Sequence, residues 1–531
     1  MKINDYSDDK RKSFNETYFK QEQVDVILIQ PPLNQGIPYQ YMDPVQKAYY
    51  AVSGAMSEQS FADLPVEPNW GLLAISKSLK ERGYRVIYID LNLFDYVKHA
   101  KTGRRITSDD IADILQTKQA IIYGISSMTS SFNNSLRLAE LVKRVRPHSY
   151  VLMGGIHPSI YAEETLREYS DVDFILKGEG EISFPNLLDC IIADKTPADL
   201  AEISGLCYRQ GNNILVNPPR LLNLEREDIT LDFDLWPADV PFIPRVNLSR
   251  GCTGKCTYCS ANRFFGSHYR LRAKENIITD IQNCIENGYS KIMFGDLAFG
   301  CHREIAEEIC QYLIENDIEV SWWCQMRLVD CESGLLKLMA QAGCKVIALG
   351  FESAETGILD SVDAGKRNNR DTYEVCAEIN NLGIALQGYF IMGLPNETRD
   401  SALRTIDYME SLLSYNMTYT HISVCTPFPG TDLFANPDNY GIEIVDFNFD
   451  NYVMNADPNA NALPVFNGSG LTRFEVYSLW QLALATAEKY LSKRESSPTL
   501  DDVYANIYCE RFEAHYELYA DDKLAFEKLA V

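Results

Sequence analysis

The chain has no apolar stretch long enough to span a bilayer, and its first residues, MKINDYSDDKRKSFNETYFKQEQ, are polar rather than built around an apolar signal-peptide core. That excludes a membrane span and predicts a soluble protein that stays in the cytoplasm. Positive charge is also short: 49 Lys and Arg against 74 Asp and Glu give a formal net charge of −25. With no dense basic patch to override it, such a surface repels phosphate backbones, so nucleic acid is excluded as a partner and the acidity reads as solvation. Internal repeats and low-complexity tracts are absent. Fourteen cysteines are present, and without an export signal they predict reduced thiols rather than a disulfide framework. All but three are scattered, mostly in apolar runs, and read as small buried hydrophobes.

Those three stand together in SRGCTGKCTYCSANRFFG (249–266) as Cys252, Cys256 and Cys259, a C-x3-C-x2-C array. A structural zinc site is closed by four N or S ligands, usually as two separated pairs, and only His268 lies nearby as a fourth. A four-iron cluster ordinarily takes four cysteines. Three leave one iron open to an exogenous ligand, and a molecule carrying an amino and a carboxylate group could chelate it there.

At 531 residues and 46% apolar content the chain carries more than one core. Residues 24–30, VDVILIQ, form a buried strand that stops at Pro31-Pro32. Helix and strand patterns then alternate through NWGLLAISKSLKERGYRVIYIDLN (69–92), AIIYGISSM (120–128), YVLMGGIHPS (150–159) and DVDFILKGEGE (171–181). This predicts a doubly wound parallel sheet of Rossmann-like type, which binds ligands at the carboxyl ends of its strands. A connector with a hairpin follows. Six strand candidates then alternate with helices, from RVNLSRGC (245–252) through KIMFGDLAFG, VSWWCQMRLV, KVIALGFES and ALQGYFIMGLP to THISVCTPFPG (420–430). Six units are too few to close an eight-stranded TIM barrel, so an open (β/α)6 partial barrel is expected, with its site at the strand C-terminal ends. The expected boundaries are 1–22 for a polar extension, 23–195 for the doubly wound domain, 196–244 for the connector, 245–435 for the partial barrel and 436–531 for a mostly helical segment. In the last, Tyr440, Tyr452, Trp480 and Tyr490 are expected to cover the barrel mouth and shape specificity.

A C-x3-C-x2-C array after the first strand of a six-unit barrel resembles the radical S-adenosylmethionine (SAM) enzymes, over about 240–435. The resemblance implies that Cys252, Cys256 and Cys259 hold a 4Fe-4S cluster whose open iron SAM chelates. An electron donor such as flavodoxin or ferredoxin would reduce it. It further implies that Tyr258 lies beside the SAM adenine, that Asp296 in GDLAF is near the amino group, and that Arg327 in WWCQMRLVD meets the carboxylate. Glu352 in LGFESAE would approach the ribose or amino group, and the stretch from Gly388 through Ile391 to Gly393 would flank the adenine.

The preceding domain makes the whole resemble the cobalamin-binding radical SAM subfamily, through QPPL (30–33), the WGLLAISKSLKERGY helix, MGGIHPS (153–159) and KGEGE (177–181). Cobalamin contacts are implied for Pro32, Ser126, Ser127, Gly154, Gly155, His157, Gly178 and Glu179. No D-x-H-x-x-G motif is present, so the implied cobalamin is base-off without a histidine axial ligand, and His157 would shape a loop or touch the cofactor tail. The commonest activity in that subfamily is methyl transfer from SAM by way of cobalamin to an unactivated carbon or phosphorus of a small molecule or peptide. Cyclisation, ring contraction or deoxygenation without methylation is the alternative, and a cluster-holding maturation or sensor protein a second. With no second cysteine triplet, methylthiotransferase activity is not expected.

Overall fold

The structure is a computed structural model that describes residues 24–32, 68–102, 104–227, 230–235, 243–266, 268–362, 371–414, 417–453 and 463–491. The expected polar extension and the far end of the C-terminal segment lie outside the described residues. Among the described residues, no helix is long and apolar enough to cross a membrane.

Seven strands make the first sheet: β1 (Val26–Gln30), β2 (Val86–Asp90), β3 (Ile122–Ser126), β4 (Tyr150–Gly154), β5 (Phe174–Leu176), β6 (Leu206–Gln210) and β7 (Asn213–Val216), in the order β2-β1-β3-β4-β5-β6-β7. The first five run parallel. Their apolar runs are buried on both faces, as parallel strands covered by helices require. Helix α1 (Trp70–Glu81) starts where the Asn69 side chain accepts the Leu72 N–H at 3.0 Å, and it buries Leu72, Leu73, Ser76 and Leu79 at helical spacing. The order reverses between β1 and β3, which opens a crevice at their carboxyl ends.

The hairpin of the expected connector belongs to this sheet. Strand β6 pairs antiparallel with β5 and β7 with β6, burying Leu206, Cys207 and Tyr208 and covering an edge that three-residue β5 would leave open. Farther on, Asp232 accepts the Ser76 hydroxyl and pairs with Lys80 of α1, both at 2.8 Å. The first domain therefore reaches well past residue 195.

The second sheet holds six parallel strands in chain order: β8 (Arg245–Val246), β11 (Lys291–Phe294), β12 (Ser321–Arg327), β13 (Cys344–Glu352), β14 (Ala385–Met392) and β15 (Met417–Val424). The expected first strand, 245–252, is cut short. Its continuation forms β9 (Ser249–Arg250), which pairs antiparallel with β10 (Arg270–Leu271) and projects the cysteine loop. Outward-facing Trp322, Cys324 and Met326 of β12 pack in one core with α2 (Arg303–Glu315) and α3 (Ser333–Gln341). Leu386, Phe390 and Met392 of β14 do the same with α4 (Arg399–Ser414).

The last described helix, α5 (Arg473–Leu491), completes this outer layer against α4 and β15, where the Trp480 indole donates to the Ile422 carbonyl at 2.9 Å. Trp480 is thus core and not part of a cover over the mouth. Tyr452 is buried too, among Phe428, Phe434 and Phe449.

Candidate functional site

The cysteine loop leaves β9 through Gly251, whose φ is +91° and where a Cβ would lie 2.1 Å from the His268 carbonyl oxygen just ahead of the returning strand β10. Only glycine permits that turn. Beyond it the Gly254 N–H donates to Cys252 Sγ at 3.3 Å, Cys259 N–H to the Cys256 carbonyl at 3.1 Å, and Thr257 N–H to the Val362 carbonyl at 3.0 Å. These bonds hold the loop against the barrel mouth with all three cysteines half-buried. Burial first, then the neighbouring Cys259 thiol, pushes Cys256 up to about 11, against a hydrogen bond with Tyr258 that works the other way.

This arrangement fits an iron–sulfur cluster. The Cys256 thiol, raised by burial, stays protonated unless a cation holds it as a thiolate, and a backbone N–H already points at the Cys252 sulfur. A cubane takes one thiolate per iron, and three cysteines spread over one loop can supply three such ligands.

The residues expected around SAM divide into two groups. Tyr258, Arg327, Glu352 and Ile391 lie at or near this mouth. Glu352 ends β13 with a φ of +60°, a left-handed conformation that costs a non-glycine residue about 1–3 kcal/mol. Burial lifts its carboxyl to about 8, and its charge is felt by both Cys256 and Tyr258. Arg327, at the end of β12, reaches Thr253 Oγ1 of the cysteine loop at 3.0 Å and stands 3.4 Å from Cys301 Sγ. Its fork already holds a carboxylate, however, since Nε and Nη2 donate to the two Asp330 oxygens at 2.7 Å each.

Asp296 and Gly388 turn away. The Asp296 carboxylate is buried and accepts the Leu248 N–H at 3.0 Å and the Ser249 hydroxyl at 2.5 Å, so it shapes the approach to the cysteine loop instead of presenting a free charge. Gly388 faces the helix layer, where a Cβ would sit 2.4 Å from Met417 Sδ and 3.2 Å from the Phe351 ring. It is small because the outer core is tight. The strand's inward positions include Gln387, Tyr389 and Ile391.

The other half of the site is a cavity of about 450 Å³ between the two sheets. From the first domain, Ser126, Ser127, Gly154, Gly155, Gly178 and Glu179 line it, all at strand carboxyl ends, together with Asn69, whose side-chain amide donates to Ser126 Oγ at 3.1 Å. Gly155 has φ +100°, and a Cβ there would lie 2.5 Å from the Ser127 carbonyl oxygen. The β3 and β4 loops thus pack as one backbone shelf. A long, partly apolar cleft with exposed backbone and hydroxyl groups suits a nucleotide-like cofactor tail. Gly155→Ala is expected to lower the cobalamin retained on purification at least severalfold while far-UV circular dichroism stays unchanged. Full retention would show that the shelf does not hold the cofactor.

Pro32 and His157 do not line this cavity. The Pro32 carbonyl accepts the Asn134 side-chain amide at 3.0 Å. His157 is fully buried, its Nδ1 3.2 Å from Thr129 Oγ1 and its ring caged by Phe132, Phe449 and Tyr161 at 4.1, 4.5 and 5.0 Å. Burial drops its pKa to about 3, so the ring is neutral. It anchors the C-terminal segment to the first domain.

Glu179 lines the cavity, but its carboxylate is spent. It accepts from Arg250 at 2.9 Å, from Arg270 at 2.8 and 2.9 Å, and from the Leu222 N–H at 2.8 Å, while Glu181 takes the other arm of Arg250 at 2.5 Å. Burial raises the Glu179 carboxyl, yet Arg270 and Arg250 outweigh it and hold the group below its ordinary range. This clamp joins the KGEGE turn to both strands of the cysteine hairpin. Sequence reasoning missed Arg250, Arg270 and Glu181; the one signal was an acid pair two residues apart beside glycines.

The chain matches the model of the radical SAM superfamily over residues 246–409 and that of the B12 binding domain over residues 65–188. It is 30% identical over 337 residues to a Pyrococcus horikoshii protein named an uncharacterized methyltransferase, covering 62% of this chain and 72% of that one. To the anaerobic magnesium-protoporphyrin IX monomethyl ester cyclase of Rubrivivax gelatinosus it is 27% identical over 398 residues, covering 73% and 69%. Its fold is similar to that of the radical SAM methyltransferase TsrM from Kitasatospora setae with cobalamin and a [4Fe-4S] cluster bound, at TM-score 0.63 and 14% identity over 94% of this chain and 100% of that one. The cobalamin-dependent SAM radical enzyme OxsB, with aqua-cobalamin and SAM bound, gives 0.61 and 16% over 95% and 73%.

Proposed function

Because the chain belongs to the cobalamin-binding radical SAM enzymes, we propose that it transfers a methyl group from SAM, by way of cobalamin, to an unactivated carbon or phosphorus of a small molecule or peptide. The observation that carries this reading is the shared wall of the two cofactor sites: Arg250, two residues ahead of Cys252, also lines the cavity at the first sheet's carboxyl ends. The name of the Pyrococcus relative supports it as well. When bound, the cluster supplies an electron to SAM and cobalamin supplies a methyl carrier, so the hard chemistry belongs to the cofactors.

The chain's own residues bind and orient. Cys252, Cys256 and Cys259 would hold the cluster, and Asp296 fixes the strand end from which their loop hangs. Tyr258 would stand beside it with its phenol kept protonated by burial. Glu352, whose carboxyl burial lifts to about 8, takes a proton from or returns one to an amino or hydroxyl group brought to the mouth. Arg327 steadies the loop through Thr253. Gly154, Gly155, Ser126 and Ser127 receive the cobalamin tail, and the buried clamp excludes water between the sites. A cytoplasmic location, and reduction by flavodoxin or ferredoxin, are part of this proposal.

Protein purified without oxygen from cells supplied with hydroxocobalamin is expected to carry about one cluster and one cobalamin per chain, the stoichiometry of one three-cysteine site beside one corrin-binding sheet. Given SAM, a reductant and acceptor, it is expected to yield both S-adenosylhomocysteine and 5′-deoxyadenosine. 5′-Deoxyadenosine without S-adenosylhomocysteine would rule out methyl transfer and favour ring formation, the reaction named for the Rubrivivax relative.

A further inference from the structure

The barrel's inner face carries a polar strip that the cofactor residues do not use. Along β12 every second residue is buried under the helices, and the alternate ones, Trp323, Gln325 and Arg327, are half-buried. Tyr389 and Ile391 on β14 and His421 and Ser423 on β15 alternate in the same way with buried neighbours. Inward side chains that keep some exposure, on strands whose other face is sealed, look onto open space within the partial barrel.

Register puts Arg327, Gly350, Tyr389 and His421 in one row across four strands, with Gln325, Ala348 and the buried Gln387 in the row beneath. At these two levels β13 offers only Ala348 and Gly350. Without bulk in between, Gln325 Nε2 reaches across β13 to the Tyr389 hydroxyl at 3.3 Å, the Gln387 side chain bonds the same hydroxyl, and the Tyr389 ring meets His421 edge-on at 5.6 Å. Burial keeps the phenol protonated, with a pKa up to about 12, and the imidazole neutral, with a pKa down to about 4. Arg327, the cation in that row, is engaged by Asp330 and Thr253. The strip therefore offers an amide, a phenol and an imidazole, all uncharged, below the mouth where Glu352 stands.

We infer that Gln325, Tyr389 and His421 form the platform that receives the substrate, and that the group they receive is an uncharged hydrogen-bonding one, an amide, ketone or hydroxyl, not a carboxylate or phosphate. An anion there would lose its water to neutral donors and gain no countercharge, while lying near a second carboxyl. This inference rests on the proposed function of the barrel mouth.

The test uses the holoenzyme, loaded with cluster, cobalamin and SAM, and matched amide and carboxylate fragments beginning with benzamide and benzoate, read by ligand-observed NMR. Benzamide is expected to bind at least tenfold more tightly than benzoate. Tyr389→Phe is expected to weaken benzamide about tenfold, as loss of one hydrogen bond in a buried site does, and His421→Gln, which keeps a donor and an acceptor, to weaken it less. Equal or tighter benzoate binding, no binding of either, or benzamide binding indifferent to the substitutions would overturn the inference. Should Tyr389→Phe fail to retain iron, Gln325→Ala carries the same test. The SAM-induced change in the cluster's EPR signal separates the two levels. Its absence in the wild type removes the proposed function, whereas its presence without amide preference removes only this inference.

Discussion

Cys256→Ala is expected to leave the purified protein without its cluster, with iron and sulfide at background and SAM cleavage reduced more than about 100-fold, beyond the cost of losing an outer contact to a metal site. Cys256 sits between the other two thiols in the loop, and its own thiol feels both of them, Tyr258 and Glu352. Removing it takes away one of three ligands and the hydrogen bond to Tyr258. Alanine is smaller and the loop's backbone bonds do not involve the thiol, so the fold should persist and cobalamin should still bind. Iron analysis, the visible spectrum and chromatography of SAM products read the result together. Retained SAM cleavage by the variant would sink the cluster assignment.

Glu179→Gln is expected to destabilise the protein by about 3–5 kcal/mol, the usual cost of removing one partner from a buried ion pair. Arg270 would keep its charge in a buried place facing only neutral acceptors, the Leu222 and Phe265 carbonyls and the amide oxygen of the substituted side chain, while Arg250 would fall back on Glu181. The pH dependence gives a second handle. The folded carboxyl is held below its ordinary value of 4.5, so its contribution is complete above that value and is lost as pH falls through the lower, folded one. Wild-type protein should therefore lose stability on the acid side from this group, and the glutamine variant should lack that part of the loss. Urea unfolding at pH 7 and at several values below 4.5 measures both effects. A change under about 1 kcal/mol, or an unaltered acid limb, would show that the clamp is a weak surface-type pair.

The same variant bears on how the two cofactor sites communicate. Arg250 belongs to the strand that launches the cysteine loop, so loosening the clamp is expected to lower cluster and cobalamin content together, where Gly155→Ala should lower cobalamin alone.

Much of this was legible before any coordinates. Strand runs such as VDVILIQ and AIIYGIS are continuous and apolar because both faces of a parallel sheet are covered, and helix periods between them announce the alternation. The cysteine spacing is equally local, since three ligands within eight residues need only one loop. Six of the eight residues expected to contact cobalamin line the cavity at the first sheet's carboxyl ends, because strand-end glycines and serines mark where backbone must stay open. The exceptions have physical reasons. His157 sits in the right loop but its ring is claimed by Phe449, a partner far along the chain. Asp296 is at the right strand end but its oxygens are claimed by the Leu248 N–H and the Ser249 hydroxyl. Gly388 lies on the right strand but on the face that the helices cover.

What the sequence by itself determined is therefore whatever depends on neighbours in the chain: the order of strands and helices, and the cysteine triplet with its spacing. The tertiary structure alone decided which way side chains face and what they meet. Register set Gln325, Tyr389 and His421 on the inward face, and the docking of two domains turned Glu179 from a cofactor contact into an ion-pair hub. Charges and rings are short-ranged in their commitments, a few ångströms for a hydrogen bond or a stacked ring, so a residue's role is settled by what the fold brings within that distance.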